Sequence, residues 1–298
     1  MRIARIAAGD NKDSKGSSTT YAIVDSDGNA ITAAEITSQT NLTIPYELED
    51  FLFTGYVESV GRMYETLQFE HSIHQFKLLP PILRTYKIIC LAFNYSDQST
   101  WLRFGRAPPK DPVISMKART SLVGPCDDII CPSFIGQLDY EGELAFVMNK
   151  KCKNVDTDSA LNYIGGYFIL NDISARDIQF VDKQYSRAKS FDTFGPCGPW
   201  LTTPDEISNP NDLRLTTRVN DEIRQDSNTS NLVLNIETII QKLSKVMTLE
   251  PGDIISTGTP TGTALSLSSK VKYLQHGDIV EVEIDQIGKI KDRVLIVN

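Results

Sequence analysis

Two glutamates at alternate positions are the first residues of this sequence that could do chemistry. Residues 139–148 have the sequence DYEGELAFVM, and the second half of that segment alternates as strands do. Glu141 and Glu143 then point to the same face of a strand, about 6.6 Å apart along the chain. Two carboxylates converging to ~4 Å repel each other by about 4 kcal/mol at a near-surface dielectric. A divalent cation such as Mg²⁺ or Mn²⁺ removes that repulsion. The alternative is an exposed strand face with two solvated glutamates.

A second set of residues follows an apolar strand that ends at Asp172. This places a carboxylate at a strand end, and Ser174 could cap a helix that begins at Ala175. Arg176 and Gln179, three residues apart, would share one helix face and could bind a substrate carboxylate. The alternative is a capped helix in which Arg176 pairs with Asp172 for structure alone.

A lysine and a glycine-rich segment complete the candidates. Lys189 precedes a Gly/Pro-rich segment, and a lysine buried in a cleft could donate a proton or bind an anion. Thr259 lies in the segment STGTPTGT, whose small residues would let the backbone approach a ligand, and its hydroxyl could donate to a carboxylate. The segment is not a P-loop, because no Gly-Lys-Ser/Thr follows. Taken singly, the two features also fit a surface lysine and a bare turn.

The composition excludes several other classes of protein. The 298-residue chain has only three histidines, His71, His74 and His276, so neither a Ser-His-Asp triad nor a multi-histidine zinc site is expected. The formal net charge of −8 opposes binding to nucleic acid. Five cysteines without a CxxC pair or a secretory signal indicate reduced thiols. No apolar run is long enough to cross a membrane, and we expect a cytoplasmic protein.

The elements that must position these residues are mostly strands. Strands are predicted over residues 2–8, 20–24, 87–93, 253–256, 279–284 and 290–297, with a hairpin turn at 25–29. Because strands outnumber helices, the predicted fold class is α+β and mostly β.

Two helices and one domain boundary are also predicted. Residues 45–69 have an approximately helical period. A second helix should run from Ile236 to Leu249, capped by Asn235, with an apolar face that includes Val246 and Met247. Two consecutive prolines end the first helical region. We therefore predict a small N-terminal domain, residues 1–83, and a larger domain, residues 84–298.

From residue 87 onward the combination of these segments resembles the fumarylacetoacetate hydrolase family. The matching segments, in order and with fitting separations, are Asn94-Tyr95, Met116-Lys117 with Ser121-Leu122, the Glu141/Glu143 strand, Asp172 with Ala175-Arg176-Asp177, Ala188-Lys189-Ser190-Phe191, Val219-Asn220-Asp221-Glu222 and Gly258-Thr259-Pro260-Thr261-Gly262. Residues 1–83 resemble the small α/β N-terminal domain of bacterial and archaeal members similar to acylpyruvases and 2-hydroxyhepta-2,4-diene-1,7-dioate isomerases. The resemblance implies a mixed β-roll and a homodimer.

The resemblance also assigns roles to residues of this chain. The metal ligands would be Glu141, Glu143 and Asp172, and the metal Mg²⁺ or, alternatively, Mn²⁺ or Ca²⁺. Lys189 matches the active-site lysine of the family. The residues that match substrate-binding positions are Arg176, Gln179, Thr259 and Lys117. The partner is then a small-molecule 2-oxo acid rather than a nucleic acid or a membrane.

The chemistry that the resemblance implies is formation of an enolate from a 2-oxo or 2,4-dioxo acid, stabilised by the metal and Lys189. Hydrolysis of a C–C bond, as in fumarylacetoacetate and acylpyruvate hydrolases, is the first expectation. The same enolate arises in decarboxylation or isomerisation of oxaloacetate-like or 2-hydroxydienedioate substrates and in dehydration of 2-keto-3-deoxy sugar acids, so these reactions stay open. A metal-binding member without activity is the non-catalytic alternative, against which the complete set of ligands and Lys189 speak.

One departure from the family pattern bears on the reaction. Many hydrolytic members carry a histidine on a lid shortly after the Asn-Tyr element, whereas this chain has Gln98 there. Glutamine can orient a water molecule but cannot take its proton at neutral pH. The departure favours decarboxylase, isomerase or dehydratase chemistry, unless Asp97 or another group supplies the base.

Overall fold

Strands form most of the regular structure of the chain, as the sequence predicts. The structure is a computed structural model that describes residues 1–7, 19–96, 108–266 and 272–298. Asp97 and Gln98, which bear on the choice of reaction, lie outside these residues.

The strands of the described residues are β1 (Arg2–Ala7), β2 (Thr19–Val24), β3 (Asn29–Thr32), β4 (His71–Ser72), β5 (Ile88–Ala92), β6 (Val113–Lys117), β7 (Leu122–Val123), β8 (Ile129–Pro132), β9 (Leu138–Asp139), β10 (Gly142–Met148), β11 (Ile164–Asn171), β12 (Ser174–Ala175), β13 (Gly195–Thr202), β14 (Arg214–Val219), β15 (Glu222–Asn228), β16 (Ile254–Ser256), β17 (Ile279–Ile284) and β18 (Gly288–Val297). The helices are α1 (Ala33–Thr40), α2 (Leu48–Phe53), α3 (Tyr56–Gly61), α4 (Thr157–Ala160), α5 (Arg176–Asp182), α6 (Ser186–Lys189) and α7 (Ile236–Val246).

Two sheets organise the described part of the chain. The larger has the order β4-β3-β2-β1-β13-β11-β10-β16-β5-β6, with β7 beside β13, and the smaller has the order β15-β14-β17-β18-β8. Strands β9 and β12 form a separate pair. A core of buried apolar side chains from the central strands of the larger sheet, the smaller sheet and α7 lies between these elements. The other face of the larger sheet packs against the N-terminal segment.

Strand β10 is buried on both faces. Leu144 and Phe146 belong to the core shared with the smaller sheet, while Ala145 and Val147 belong to the core on the opposite face. Glu141 is 8% exposed and Glu143 is fully buried. An exposed strand face with two solvated glutamates is therefore excluded.

The N-terminal segment extends the larger sheet. Strand β1 pairs with β13, so that Arg2 faces Thr202 and Ile3 faces Leu201. The division at residues 83 and 84 stays a prediction. The predicted helix over 45–69 is instead two short helices, α2 and α3, interrupted at Gly55, whose φ of 85° is a left-handed conformation that favours glycine. Helix α1 is an addition to the predicted elements.

Helix α7 confirms the predicted start but not the predicted end. The Asn235 side chain accepts a hydrogen bond from the Thr238 N–H, as an N-cap does. The helix ends at Val246 rather than at Leu249, and Val246 is 74% exposed, so it does not belong to the buried face. None of the helices in the described ranges is long and apolar enough to cross a membrane.

Candidate active site

Three carboxylates meet where β10 begins and β11 ends. The antiparallel register pairs Gly142 with Asn171, which places Glu141, Glu143 and Asp172 on neighbouring ends of the two strands. The Asp172 N–H donates to the Glu141 carbonyl at 2.9 Å and fixes the two backbones together. One carboxylate oxygen from each residue lies within 4.8 Å of the others.

Glu143 has one carboxylate oxygen held and one without a partner. Its Oε2 accepts hydrogen bonds from the Ser256 hydroxyl and from the Gly258 N–H at 3.1 Å. Its Oε1 is buried and has no hydrogen-bond partner among the described residues. Burial raises the pKa of Glu143 well above its ordinary value, and the charges of Asp172 and Glu141 raise that pKa further.

Two lysines supply the counter-charge from opposite sides. Lys189, the last residue of α6, donates to Glu141 Oε2 at 2.6 Å, to Asp172 Oδ2 and to the Ser174 hydroxyl at 3.0 Å. Lys117 at the end of β6 donates to Asp172 Oδ1 at 2.8 Å and is completely enclosed. Burial alone would raise the pKa of Asp172, but the two lysines outweigh it and lower that pKa to about 2.

Burial has the opposite effect on Lys189. Taken alone it would lower the pKa of the ammonium group, yet the charges of Asp172 and Glu141 outweigh it, so that the pKa lies above its ordinary value. Lys189 is therefore a cation at neutral pH and can donate hydrogen bonds or a proton, but it cannot act as a base.

The three carboxylates fit a divalent cation. Oxygen atoms from carboxylates are the ligands that Mg²⁺ and Mn²⁺ prefer. The buried Glu143 Oε1 without a partner is unusual in a folded protein, and a carboxylate oxygen of Glu143 lies within 4.8 Å of oxygens of the other two carboxylates. The candidate metal ligands are therefore Glu141, Glu143 and Asp172, and the Ser256 hydroxyl orients Glu143.

Arg176 begins α5 and is held by three side chains. Its Nε donates to Asp139 Oδ2 and its Nη1 to Gln179 Oε1, at 2.8 and 2.9 Å, and its Nη2 donates to Glu141. Arg176 does not pair with Asp172. Ser174 does not cap the helix as predicted, because its hydroxyl instead donates to the Asp172 carbonyl and accepts from Lys189.

The turn that contains Thr259 reaches the same site. Gly258 and Gly262 have φ values of 92° and 105°. A side chain at position 262 would lie 1.9 Å from the Arg224 carbonyl oxygen, so this turn requires glycine. The Thr259 hydroxyl donates to the Gly142 carbonyl at 2.9 Å rather than being free to donate to a ligand.

A pocket of about 310 Å³ opens above these groups. Its polar lining includes Glu141, Arg176, Gln179, Lys189 and Thr259. Apolar side chains, among them Leu91, Phe93, Phe180 and Leu265, form much of the remainder, and Lys183 and Tyr185 also line it. Lys117 does not line the pocket, so the structure gives it a position behind Asp172, and its predicted contact with substrate stays untested.

Histidine takes no part in this lining. All three histidines of the chain lie within the described residues, and none of them lines the pocket. His71 contacts Glu35, and His276 accepts from the Ile296 N–H.

Asp139 and Ser256 are site residues that the sequence did not identify. Asp139 Oδ1 accepts from the Ala264 N–H at 2.8 Å, and Oδ2 accepts from the Leu265 N–H at 3.1 Å as well as from Arg176. It therefore fixes both Arg176 and a segment that lines the pocket. Asp139 belongs to the DYEGE segment, but its partners are distant in sequence, so spacing alone offers no signal for this role.

Comparison with known proteins identifies the family of the chain. The family model for the C-terminal domain of fumarylacetoacetate (FAA) hydrolase matches residues 87–295. The mitochondrial oxaloacetate tautomerase of Xenopus laevis is 39% identical over 257 residues, which are 85% of this chain and 80% of that protein. The chain therefore belongs to the fumarylacetoacetate hydrolase family. Relatives with a named activity, such as this tautomerase, are enzymes, and the prediction that the chain is an enzyme is confirmed.

Solved structures with the same fold include proteins of two reaction types. The 5-carboxymethyl-2-hydroxymuconate delta-isomerase of Mycobacterium smegmatis is 33% identical with a TM-score of 0.76, and each chain is covered completely. The maleylpyruvate hydrolase of Sphingobium sp. SYK-6, solved with manganese(II) and pyruvate, is 28% identical with a TM-score of 0.78, again with complete coverage of both chains. The predicted fold class is thus confirmed.

Proposed function

We propose that this chain is a divalent-cation-dependent enzyme that forms the enolate of a 2-oxo acid, and that its reaction is keto–enol tautomerisation of an oxaloacetate-like substrate. The observation that carries the proposal is the contact of the buried Lys189 Nζ with Glu141 and Asp172 at the pocket lining. A fixed cation beside a candidate metal site stabilises negative charge as it develops on the enolate oxygen.

The charge of the buried cluster supports a requirement for the cation. Four buried carboxylates (Asp139, Glu141, Glu143 and Asp172) lie among three buried cationic side chains (Lys117, Arg176 and Lys189). With all groups ionised, the cluster carries one net negative charge and repels an anionic substrate. Mg²⁺ or Mn²⁺ bound by Glu141, Glu143 and Asp172 would reverse that sign and supply Lewis-acid stabilisation of the substrate oxygens.

The residues of the pocket would bind and orient the 2-oxo acid. Arg176 uses one hydrogen each for Asp139, Gln179 and Glu141, which leaves two of its five N–H groups for a carboxylate. The Gln179 carbonyl is already engaged by Arg176, so its amide N–H groups are available in the same direction. Apolar neighbours such as Phe180 and Leu265 exclude water from the reacting carbon atoms.

Tautomerisation moves a proton between C3 and the oxygen on C2, and Lys189 holds a proton at Nζ beside the pocket. Its raised pKa suits proton donation to the oxygen, and the proton from C3 would pass to the Glu141 carboxylate of the pocket lining or to solvent water. Hydrolysis would require in addition a base that activates water, and no histidine lines the pocket. The identity to the Xenopus laevis tautomerase supports the same choice.

Hydrolysis of a C–C bond, the first expectation from the sequence, is the second candidate function. The observation that favours it is the similarity to the Sphingobium maleylpyruvate hydrolase, whose structure holds manganese(II) and pyruvate. The two candidates differ in their products, because hydrolysis of an acylpyruvate releases pyruvate and a carboxylic acid.

The test follows the ultraviolet absorbance of an enol in two substrates. Freshly dissolved enol-oxaloacetate should lose its enol absorbance faster with protein and Mg²⁺, and excess chelator should abolish the acceleration. Lys189→Met should be inactive, while Lys151→Met, a change at a 69% exposed lysine, should match wild type. Loss of an acylpyruvate enol with release of pyruvate, but no effect on oxaloacetate, would replace tautomerisation by hydrolysis.

A further inference from the structure

The buried side chain of Gln225 connects the two segments that form the candidate site. Gln225 lies on strand β15, and its Oε1 accepts from the Gly142 N–H at 3.0 Å, between the candidate ligands Glu141 and Glu143. Its Nε2 donates to the Thr259 hydroxyl at 2.8 Å and to the Pro260 carbonyl at 3.1 Å. Gln225 is 1% exposed and does not line the pocket.

The backbone determines which way the Gln225 amide faces. The Gly142 N–H is a donor and must meet the amide oxygen, whereas the Pro260 carbonyl is an acceptor and must meet the amide nitrogen. A flipped amide would place donor against donor and acceptor against acceptor. The Thr259 hydroxyl therefore receives a hydrogen from Gln225.

The hydroxyl of Thr259 is then left with one function towards the pocket. Its own hydrogen goes to the Gly142 carbonyl at 2.9 Å, and one lone pair accepts from Gln225. The remaining lone pair can only accept.

Position 142 must be glycine for Gln225 to reach both the Gly142 N–H and Thr259. A side chain there would lie 2.3 Å from the Thr217 hydroxyl oxygen and 3.2 Å from Gln225 Oε1. Strand β15 can approach β10 this closely only because no side chain intervenes.

We propose that Gln225 is a positioning residue that fixes the Thr259 hydroxyl as a hydrogen-bond acceptor facing the pocket. This inference rests on the proposed function and deepens it, because a hydroxyl acceptor favours the form of the substrate that carries an O–H. Gln225 acts through Thr259 and does not touch the substrate itself.

A double-mutant cycle tests this coupling. Thr259→Val and Gln225→Met should each lower kcat/KM for oxaloacetate tautomerisation about tenfold, the effect of one neutral hydrogen bond. The double variant should be no more than about twofold worse than either single variant, because the second change acts through the first. Thr259→Ser keeps the hydroxyl and should retain most of the activity.

Two further variants separate positioning from a loss of structure. Gln225→Glu retains the acceptor for Gly142 but, when ionised, has no hydrogen for Thr259 or for the Pro260 carbonyl, so it should lose activity as Gln225→Met does. The buried charge should lower its unfolding midpoint, so activity is measured at a temperature at which the variant is folded. Thr217→Val is the matched control. Thr217 pairs with Gln225 across the sheet, and its buried hydroxyl has no partner among the described residues, so this variant should be fully active.

The outcomes distinguish this inference from the proposed function. If the wild-type protein is inactive on 2-oxo acids, the proposed function fails, and the same cycle is then measured as the affinity for pyruvate with Mn²⁺ by calorimetry. If the wild type is active but the losses of kcat/KM caused by Gln225→Met and Thr259→Val multiply in the double variant, the two residues act independently and the positioning role is refuted. Wild-type activity in Gln225→Glu would refute it equally.

Discussion

Glu143→Gln should stabilise the metal-free protein and at the same time abolish its stabilisation by a divalent cation. The substitution keeps the size of the side chain and leaves its carbonyl oxygen to accept from Ser256 and Gly258. The new amide group takes the place of the Oε1 atom that has no partner. The amide carries no charge, so the substitution removes the repulsion between this side chain and the carboxylates of Glu141 and Asp172.

The magnitude follows from the separation of the carboxylates. Oxygens within 4.8 Å of each other repel by about 3 kcal/mol or more per pair at an effective dielectric constant of about 20. Lys189 offsets part of that repulsion through its contacts with Glu141 and Asp172. We expect the metal-free variant to exceed metal-free wild type by about 1–3 kcal/mol in the free energy of unfolding.

Addition of the cation should invert this order. At a free cation concentration about 100 times its Kd, wild type should gain about 2.7 kcal/mol, whereas the variant should gain little because it has lost a ligand. Guanidinium unfolding with excess chelator and then with excess Mg²⁺ or Mn²⁺ measures both effects. Glu283→Gln, a change at a 51% exposed strand glutamate, is the control and should alter neither. Equal gains in wild type and Glu143→Gln would refute the assignment of Glu143 as a ligand.

Three further changes test other parts of the site and fold. Asp139→Asn should lose about 3–5 kcal/mol of unfolding free energy and most of kcat/KM. Both carboxylate oxygens of Asp139 accept from N–H groups, and the amide nitrogen of asparagine would place a donor against one of these donors. An unfolding curve like that of wild type would contradict this. Asp292→Asn should stabilise the protein at neutral pH, because burial, together with Asp127 and Asp128, raises the pKa of Asp292. The stability that Asp292 contributes is present below its unfolded pKa of about 3.9 and is lost as pH rises through the folded pKa. The gain in the variant, measured by unfolding at several pH values, should therefore vanish at low pH. Lys183→Met should raise KM for a dicarboxylic 2-oxo acid about fivefold without changing kcat, because Lys183 lines the pocket and forms no ion pair among the described residues; an equal rise for a monocarboxylic 2-oxo acid would assign it a different role.

The sequence predicts the local secondary structure of the site better than the tertiary arrangement that brings its residues together. The alternation around Glu141 and Glu143 correctly indicates a strand, but β10 begins at Gly142, so that Glu143 lies in it and Glu141 directly precedes it. That this strand is buried on both faces depends on packing by the N-terminal segment and the smaller sheet, which no local pattern encodes. The position of Asp172 beside the glutamates follows from the register between Gly142 and Asn171, which is likewise a tertiary property.

The connections that hold the site together are the least predictable. Asp139, Ser256 and Gln225 act on partners that are 37, 113 and 83 residues away in sequence, respectively. Ser174 has the local signature of a helix cap, but contact with the buried Lys189 determines its actual role. The pairing of β1 with β13, which joins the N-terminal segment to the larger sheet, is likewise not encoded in any local pattern.

The central claim is that this protein forms the enolate of a 2-oxo acid with the help of a divalent cation and Lys189. The most direct measurement is the exchange of the C3 hydrogens of pyruvate with deuterium from the solvent, followed by proton NMR. Tautomerisation, decarboxylation and C–C hydrolysis all pass through such an enolate, so the measurement does not depend on which product forms. We predict exchange with wild type and Mg²⁺ or Mn²⁺, and none with excess chelator or with Lys189→Met. Exchange that persists with chelator, or in Lys189→Met, would contradict the account.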